Sequence, residues 1–285
     1  CARDALTHPY LAARGYACAR VDLRGTGDSE GLMEDEYSAQ ELADAVAVIK
    51  WAASQPWCNG AVGMMGISWG GFNSLQVAAL APDALKAIIT LCSTVDRFAD
   101  DIHYKGGCLL NENLGWGATM WSYSSRAPDP ALRDNWREMW LERLEAEPFL
   151  PSVWLRHQRR DTYWQHGSVC EDFSAIRAKV LAVGGWGDAY KNAVPQLVEA
   201  LDGAKGIVGP WVHKYPHFAV PEPRIGFLQE ALRWWDRWLK GIDTGVEDDP
   251  DYRVYLMDGV RPAAWYTERA GRWITEETGA TTHLP

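Results

Sequence analysis

The chain has 285 residues, 47% hydrophobic and 23% charged, which suits one large α/β domain or such a domain with an inserted lobe. Its formal net charge of −10 argues against nucleic acid as a main partner, because phosphate binding needs clustered Lys and Arg. No run of 18 apolar residues offers a membrane span.

Near the start, "LTHPYLAARG" reads as a helix stopped at Gly15, followed by a strand from Tyr16 to Asp22. "RGTGDSEG" is then a glycine-rich turn without the G-x-G-x-x-G spacing of a dinucleotide site, so Asp22 is read as structural. Ser38 and Glu41 form a capping box that opens a helix running to about Ala53. Its apolar residues Leu42, Ala45, Val46 and Ile49 recur at helical spacing. "AVGMMG" is a short buried strand, "SWGGFNSLQVAALAP" a helix ended near Pro82, and "LKAIITLC" another buried strand. From Val95 to Asp172 the alternation gives way to a Trp- and Arg-rich helical insertion. It resumes as "AKVLAVGGWGD" (strand and loop), "VPQLVEAL" (helix) and "AKGIVGPWVH" (strand and loop). The amphipathic helix "GFLQEALRWWDRWLKG" and the strand-like "DYRVYLMDG" follow. Strands alternating with helices imply a parallel sheet with crossover helices.

Of the six cysteines none forms a C-x-x-C pair, and no His cluster supports a zinc site, so no metal and no cofactor are expected. Cys18 and Cys92 stand in apolar runs, where Cys acts as a small hydrophobe. This usage reads as a reduced, cytoplasmic protein, although a chain opening on Cys1 would not reveal a removed leader. The sixteen Trp residues admit two readings, packing of the core and lobe, or an aromatic-lined pocket.

Gly66-Ile67-Ser68-Trp69-Gly70 matches G-x-S-x-G, a weak pattern alone. Its setting strengthens it, because an apolar strand precedes the serine and a helix follows at once, as a nucleophile elbow requires. Glycines two before and two after the serine allow the backbone to approach where a Cβ would clash. A serine hydroxyl needs a base, and the base an orienting acid, in the chain order Ser, Asp or Glu, His. Asp188 follows the strand Val180–Gly184 and His213 the strand Ile207–Gly209, which puts both at the carboxyl edge of the sheet. His217 is the rival base, and Asp161 and Asp172 read as surface or capping residues.

Taken together, "GYACARVDLRGTGDSEG", "QPWCNGAVGMMGISWGG", "LKAIITLCS", "GGWGD", "GPWVH" and "LRWWDRWLKG" resemble, in order, the CocE/NonD hydrolases, the group of cocaine esterase, α-amino-acid ester hydrolases and X-Pro dipeptidyl-peptidases. The resemblance implies an α/β-hydrolase core, a helical cap and a jelly-roll domain. The expected parts are a first half of the core over residues 1–94, a cap over 95–172, a second half of the core over 173–245, and the start of a β-sandwich over 246–285. It also implies Ser68, Asp188 and His213 as the triad, with the Trp69 backbone N–H as one oxyanion donor. The second donor, a tyrosine in a Pro-Tyr loop, is expected ahead of this chain; Tyr10 is assigned instead to the first helix. The chain thus reads as an internal fragment of a longer protein.

The expected chemistry is hydrolysis of small esters or amides through an acyl-enzyme. Trp186, Asp101 and Trp116 are candidate substrate contacts, with Trp121, Trp136, Trp140, Trp154 and Trp164 as further cap aromatics. Asp100 or Asp101 is the candidate partner for a substrate ammonium, but Tyr190 and Lys191 stand where the α-amino-acid ester branch carries acidic residues. An esterase or acylase with an apolar acyl group is therefore favoured over X-Pro dipeptidyl-peptidase action. A non-catalytic binding protein on the same fold is the alternative, and self-association stays open.

Overall fold

A computed structural model describes residues 4–276, which divide into two units. Residues 4–17, 49–96 and 168–276 form one, and residues 18–48 and 97–167 the other. In chain order the elements are α1 (His8–Ala12), α2 (Ala39–Ser54), β1 (Val62–Ile67), α3 (Trp69–Ala79), β2 (Leu85–Leu91), β3 (Tyr104–Lys105) and β4 (Cys108–Leu109). Then come α4 (Glu112–Ser124), α5 (Trp136–Ala146), α6 (Leu150–Trp154), α7 (Thr162–Gln165), β5 (Lys179–Gly185), α8 (Ala193–Ala200), β6 (Lys205–Gly209), α9 (Phe227–Lys240), β7 (Tyr252–Met257) and β8 (Gly271–Glu276).

The first unit is built on a six-stranded sheet in the order β1-β2-β5-β6-β7-β8, parallel throughout except for the last pair. Helices joining parallel strands cover both faces, so the central strands are apolar without alternation. Ile88, Ile89, Leu91, Val180, Leu181, Val183, Ile207 and Val208 are accordingly buried. On α9, Phe227, Ala231, Trp234 and Trp235 form the buried stripe. The Trp235 ring lies so close to β1 that a Cβ on Gly63 would stand 2.6 Å from it, which explains a glycine inside a strand. Gly241, at φ +71°, ends α9 in the left-handed cap only glycine adopts without strain.

The second unit has its own interior, around Trp154, Trp164 and Met120, which are fully buried. Its β3–β4 ribbon turns through Gly106 and Gly107, both at positive φ, as a two-residue hairpin needs. The capping box holds at one end, with the Glu41 N–H donating to Ser38 Oγ at 3.1 Å. The Glu41 carboxylate accepts the N–H of Tyr37 rather than that of Ser38. The glycine-rich turn is structural as read, with Asp22 Oδ2 accepting the Asp28 N–H and Arg143 donating to the carbonyls of Gly27 and Ser29.

Two expectations change. Residues 16–22 form no strand, because a strand exists only where a ladder partner does, and none pairs with them among the described residues. The stretch expected to open a separate sandwich instead extends the core sheet, since the β7 backbone finds its ladder on β6, with Ile207 opposite Arg253. Residues 277–285 of that expected segment lie outside the described residues.

Candidate active site

Ser68 stands between the last residue of β1 and the first of α3, at φ 58° and ψ −127°, a conformation non-glycine residues avoid. Three backbone hydrogen bonds hold it there. Its N–H donates to Leu91 O of β2 at 3.0 Å, and its carbonyl accepts the N–H groups of Gly71 at 2.7 Å and Phe72 at 2.9 Å. A Cβ on Gly66 would lie 2.4 Å from the Gly70 carbonyl carbon, and one on Gly71 would lie 2.7 Å from Leu91 O. A Cβ on Gly70 would meet nothing within 4 Å. The steric demand behind the motif therefore falls on Gly66 and on Gly71, one residue beyond the pattern.

The strands register Ile67 with Leu91, Leu91 with Val183, and Val183 with Ile207. Because these strands run parallel, the segments after β1, β5 and β6 all leave from one edge of the sheet. The segments after β5 and β6 are laced together: Trp186 N–H donates to Gly209 O and Gly187 N–H to Trp211 O, each at 2.9 Å. This lacing brings His213 Nδ1 to 2.7 Å from Asp188 Oδ2. Asp188 Oδ1 accepts the Tyr190 N–H at 2.7 Å, so both carboxylate oxygens are engaged. Burial alone would raise the Asp188 pKa, but hydrogen bonds from His213 and Cys92 outweigh it and hold the group below the usual carboxylate range. Asp188 fixes the Nδ1–H tautomer and leaves His213 Nε2 to exchange protons. Among the described residues neither Nε2 nor the Ser68 hydroxyl makes a hydrogen bond, so the structure joins acid to base but not base to serine. In uncomplexed hydrolases that last contact is often long and tightens with substrate.

The rival base is accounted for elsewhere. His217 stacks parallel on Phe227 at 5.8 Å between centroids. Tyr10 lies on α1, with the Arg14 guanidinium 3.5 Å above its ring. Asp161 and Asp172 cap short helices, accepting the N–H groups of Tyr163 and Ser174. Trp186, 38% exposed, is pinned by its indole N–H to Tyr255 O at 2.8 Å.

Of the other two candidate substrate contacts, both in the second unit, Asp101 is buried and Trp116 is half-buried. Glu36 Oε1 accepts Arg97 Nη2 at 3.1 Å and His103 Nε2 at 2.7 Å, and Oε2 accepts the Trp116 indole N–H at 2.7 Å. Asp101, 3% exposed, accepts the Ile102 N–H and titrates near 6, raised by burial and Glu36 against the pull of His103 and Arg97. Asp100 is paired with Lys105. Burial keeps Asp101 from solvent, while Trp116 retains exposed surface. Sequence reading missed Glu36 and Arg97, which sit in ordinary charged stretches with no motif around them.

It also missed Cys92. The residue follows β2 at φ +48°, is 4% exposed, and its Sγ comes within 4.8 Å of Asp188 and His213 ligand-type atoms. These three are the group among the described residues with the make-up of a metal site. The short Nδ1–Oδ2 hydrogen bond and a thiol whose pKa burial and Asp188 push up mark it instead as a proton-sharing group. A concavity of about 200 Å³ between Ala78, Leu85, Arg177 and Ala178 opens at the amino ends of β2 and β5, the opposite edge from Ser68. No helix among the described residues is long and apolar enough to cross a membrane.

Comparison with known proteins fits this geometry. A family model described as X-Pro dipeptidyl-peptidase (S15 family) matches residues 1–215. Cocaine esterase of Rhodococcus sp. is 28% identical, with 85% of this chain aligned to 48% of that one. Xaa-Pro dipeptidyl-peptidase of Lactiplantibacillus plantarum is 22% identical, over 90% of this chain and 34% of that one. A crystal structure of a CocE/NonD family hydrolase from Staphylococcus aureus superposes with a TM-score of 0.69 at 20% identity, covering 90% of this chain and 41% of that chain; it establishes the α/β-hydrolase fold. The chain spans about half the length of the first curated relatives it matches.

Proposed function

The chain belongs to the X-Pro dipeptidyl-peptidase (S15) family, and on that premise we propose that it is a serine hydrolase that opens small esters or amides through an acyl-enzyme on Ser68. The observation that carries this reading is the backbone strain stored at Ser68 on the same sheet edge as the Asp188–His213 pair. A serine in a plain turn has no need of φ 58°.

The steps follow from the groups present. His213 Nε2 takes the Ser68 proton as Oγ bonds to the carbonyl carbon. Asp188 steadies the imidazolium without itself gaining the proton. The Trp69 N–H, at the head of α3, faces the oxyanion of the tetrahedral intermediate, aided by the positive end of the helix. His213 then delivers the proton to the departing alcohol or amine. Water repeats the sequence on the acyl-enzyme, releasing the acid and restoring the Ser68 hydroxyl.

An apolar acyl group with an ester bond is the favoured substrate. Asp100 and Asp101, the candidate partners for a substrate ammonium, are engaged by Lys105 and by the buried cluster. Incubation with a fluorophosphonate probe and mapping of the adduct tests the nucleophile; labelling belongs on Ser68 and disappears in Ser68→Ala. A Ser68→Ala chain that still hydrolyses esters would overturn the reading, and one that binds esters where the parent never turns them over would make the protein a binder. Faster cleavage of Xaa-Pro anilides than of p-nitrophenyl esters would reverse the substrate preference.

A further inference from the structure

We propose that Cys92 is a positioning residue for the Asp188–His213 pair, its thiol donating a hydrogen bond to the Asp188 carboxylate from the end of β2. The proposal rests on the serine-hydrolase reading and adds a fourth participant to it.

Three observations support it. The first is placement. β2 lies between β1, which leads to Ser68, and β5, which leads to Asp188. The Cys92 N–H donates to Val183 O of β5 at 3.0 Å, so the residue is fastened to the strand that carries the acid. The second is conformation. Cys92 holds φ +48°, in the left-handed region where glycine or asparagine is the usual occupant. A side chain kept there at a cost turns its sulfur toward the acid–base pair, with its Sγ and the polar atoms of Asp188 and His213 all within 4.8 Å of one another. The third is the hydrogen-bond inventory. A buried carboxylate has about four lone-pair positions to satisfy. Tyr190 N–H and His213 Nδ1–H supply two donors, which leaves lone-pair positions that a thiol this near can fill.

The direction of the S–H follows from its partner: an ionised carboxylate only accepts, so the thiol is the donor toward Asp188. Burial first, then the Asp188 charge, raise the thiol pKa, so the proton remains on sulfur and the donor persists. Cys92 is thus neither a nucleophile nor a redox thiol here. Its effect is electrostatic: a carboxylate with one donor fewer carries more charge toward the imidazole and keeps the catalytic proton on it to higher pH. Among the described residues, the groups facing Asp188 are the His213 ring, the Cys92 thiol and the Tyr190 N–H; the Tyr190 ring meets the His213 ring at 5.9 Å.

The test compares Cys92→Ala, Cys92→Gly and Cys92→Ser in the full chain, by kcat/KM against pH for a p-nitrophenyl ester, by the rate of fluorophosphonate labelling and by Tm. Alanine and glycine both remove the donor, and glycine suits φ +48°, so it separates hydrogen bonding from backbone strain. The expected result is a loss of roughly 3–10-fold in kcat/KM for Ala and Gly, the scale of one modest hydrogen bond. The acid limb of the profile moves to higher pH in both. Serine, which keeps a donor, restores the rate and the limb. Unchanged profiles in Ala and Gly, or losses that follow Tm and are not rescued by Ser, overturn the role. Ser68→Ala, run alongside, separates the two readings. If it abolishes labelling while the Cys92 variants match the parent, only the cysteine's role falls. If it labels and hydrolyses like the parent, or if the parent does neither, the hydrolase reading falls and this one with it.

Discussion

Two carboxylate–imidazole pairs in this molecule share one distance and differ in everything else. Asp188 and His213 in the first unit are 2.7 Å apart, and so are Glu36 and His103 in the second. His103 is walled in. Asn113 Nδ2 donates to the carbonyls of His103 and Leu110, which turns Asn113 Oδ1 toward His103 Nδ1, while Glu36 faces Nε2. With an acceptor at each nitrogen, the ring is a fixed cation. His213 is engaged at Nδ1 alone, and its side chain is 44% exposed. The contrast shows that a short Asp/Glu–His contact says little about catalysis; the second nitrogen decides. A ring locked at both ends stores stability, and a ring with one nitrogen open to substrate can cycle a proton.

The sharpest way to break this comparison is to neutralise each acid in turn. Asp188→Asn leaves the loop's shape nearly intact but presents the wrong partner to Nδ1. We expect kcat on a p-nitrophenyl ester to fall by about 10⁴, the scale of such a change in serine hydrolases generally, with little change in the urea midpoint. Glu36→Gln should do the reverse. It strands the buried Arg97 and His103 cations without their shared anion, at a cost of about 3–5 kcal/mol in urea unfolding. If Asp188→Asn unfolds the chain while Glu36→Gln silences a folded one, the roles assigned to the two pairs are exchanged.

How much of this was legible beforehand follows from where the chemistry left a local mark. The strand–serine–helix setting of Ser68 was legible because its parts fall within a dozen residues. The placement of Asp188 and His213 at one sheet edge was legible because each ends a strand-and-loop unit with its own glycines. The Glu36 cluster was not, because Glu36 lies 61 to 80 residues before its partners and meets them only in the folded second unit. Cys92 was misread for a related reason: an apolar run ending in Cys looks like more strand, and nothing local announces a positive φ or an acid delivered by β5. The strand expected at residues 16–22 failed on the same principle, since apolar alternation proposes a strand but only a paired neighbour makes one.

Titration sharpens the comparison further. Burial alone would strip the proton from His103, yet Glu36, Asp101 and Asn113 outweigh it and lift its pKa to about 9 from the usual 6.5. A group raised in the folded state contributes stability that is fully present below pH 6.5 and disappears as pH rises through about 9. Unfolding free energy should therefore decline between those limits. Glu36, depressed to about 2, is ionised in both states across that window and adds no slope. In His103→Gln the decline should flatten while the starting stability drops; a slope that persists unchanged would assign it to another group.

A third pair completes the series and should show the smallest effect. His157 Nδ1 and Asp161 Oδ2 are also 2.7 Å apart, but their side chains are 32% and 43% exposed. Water competes for both groups, and exposed pairs of this kind contribute from nothing to about 1 kcal/mol. Asp161 has a second task, however: its other oxygen accepts the Tyr163 N–H at 3.1 Å and caps α7. Asp161→Ala should therefore cost about 0.5–2 kcal/mol, the range for losing a helix cap, while His157→Gln should stay within about 0.5 kcal/mol of the parent. The double variant should cost little more than Asp161→Ala alone, by urea unfolding at neutral pH. Coupling of about 1 kcal/mol or more between the two would mean that contact distance outranks burial in setting what such pairs contribute.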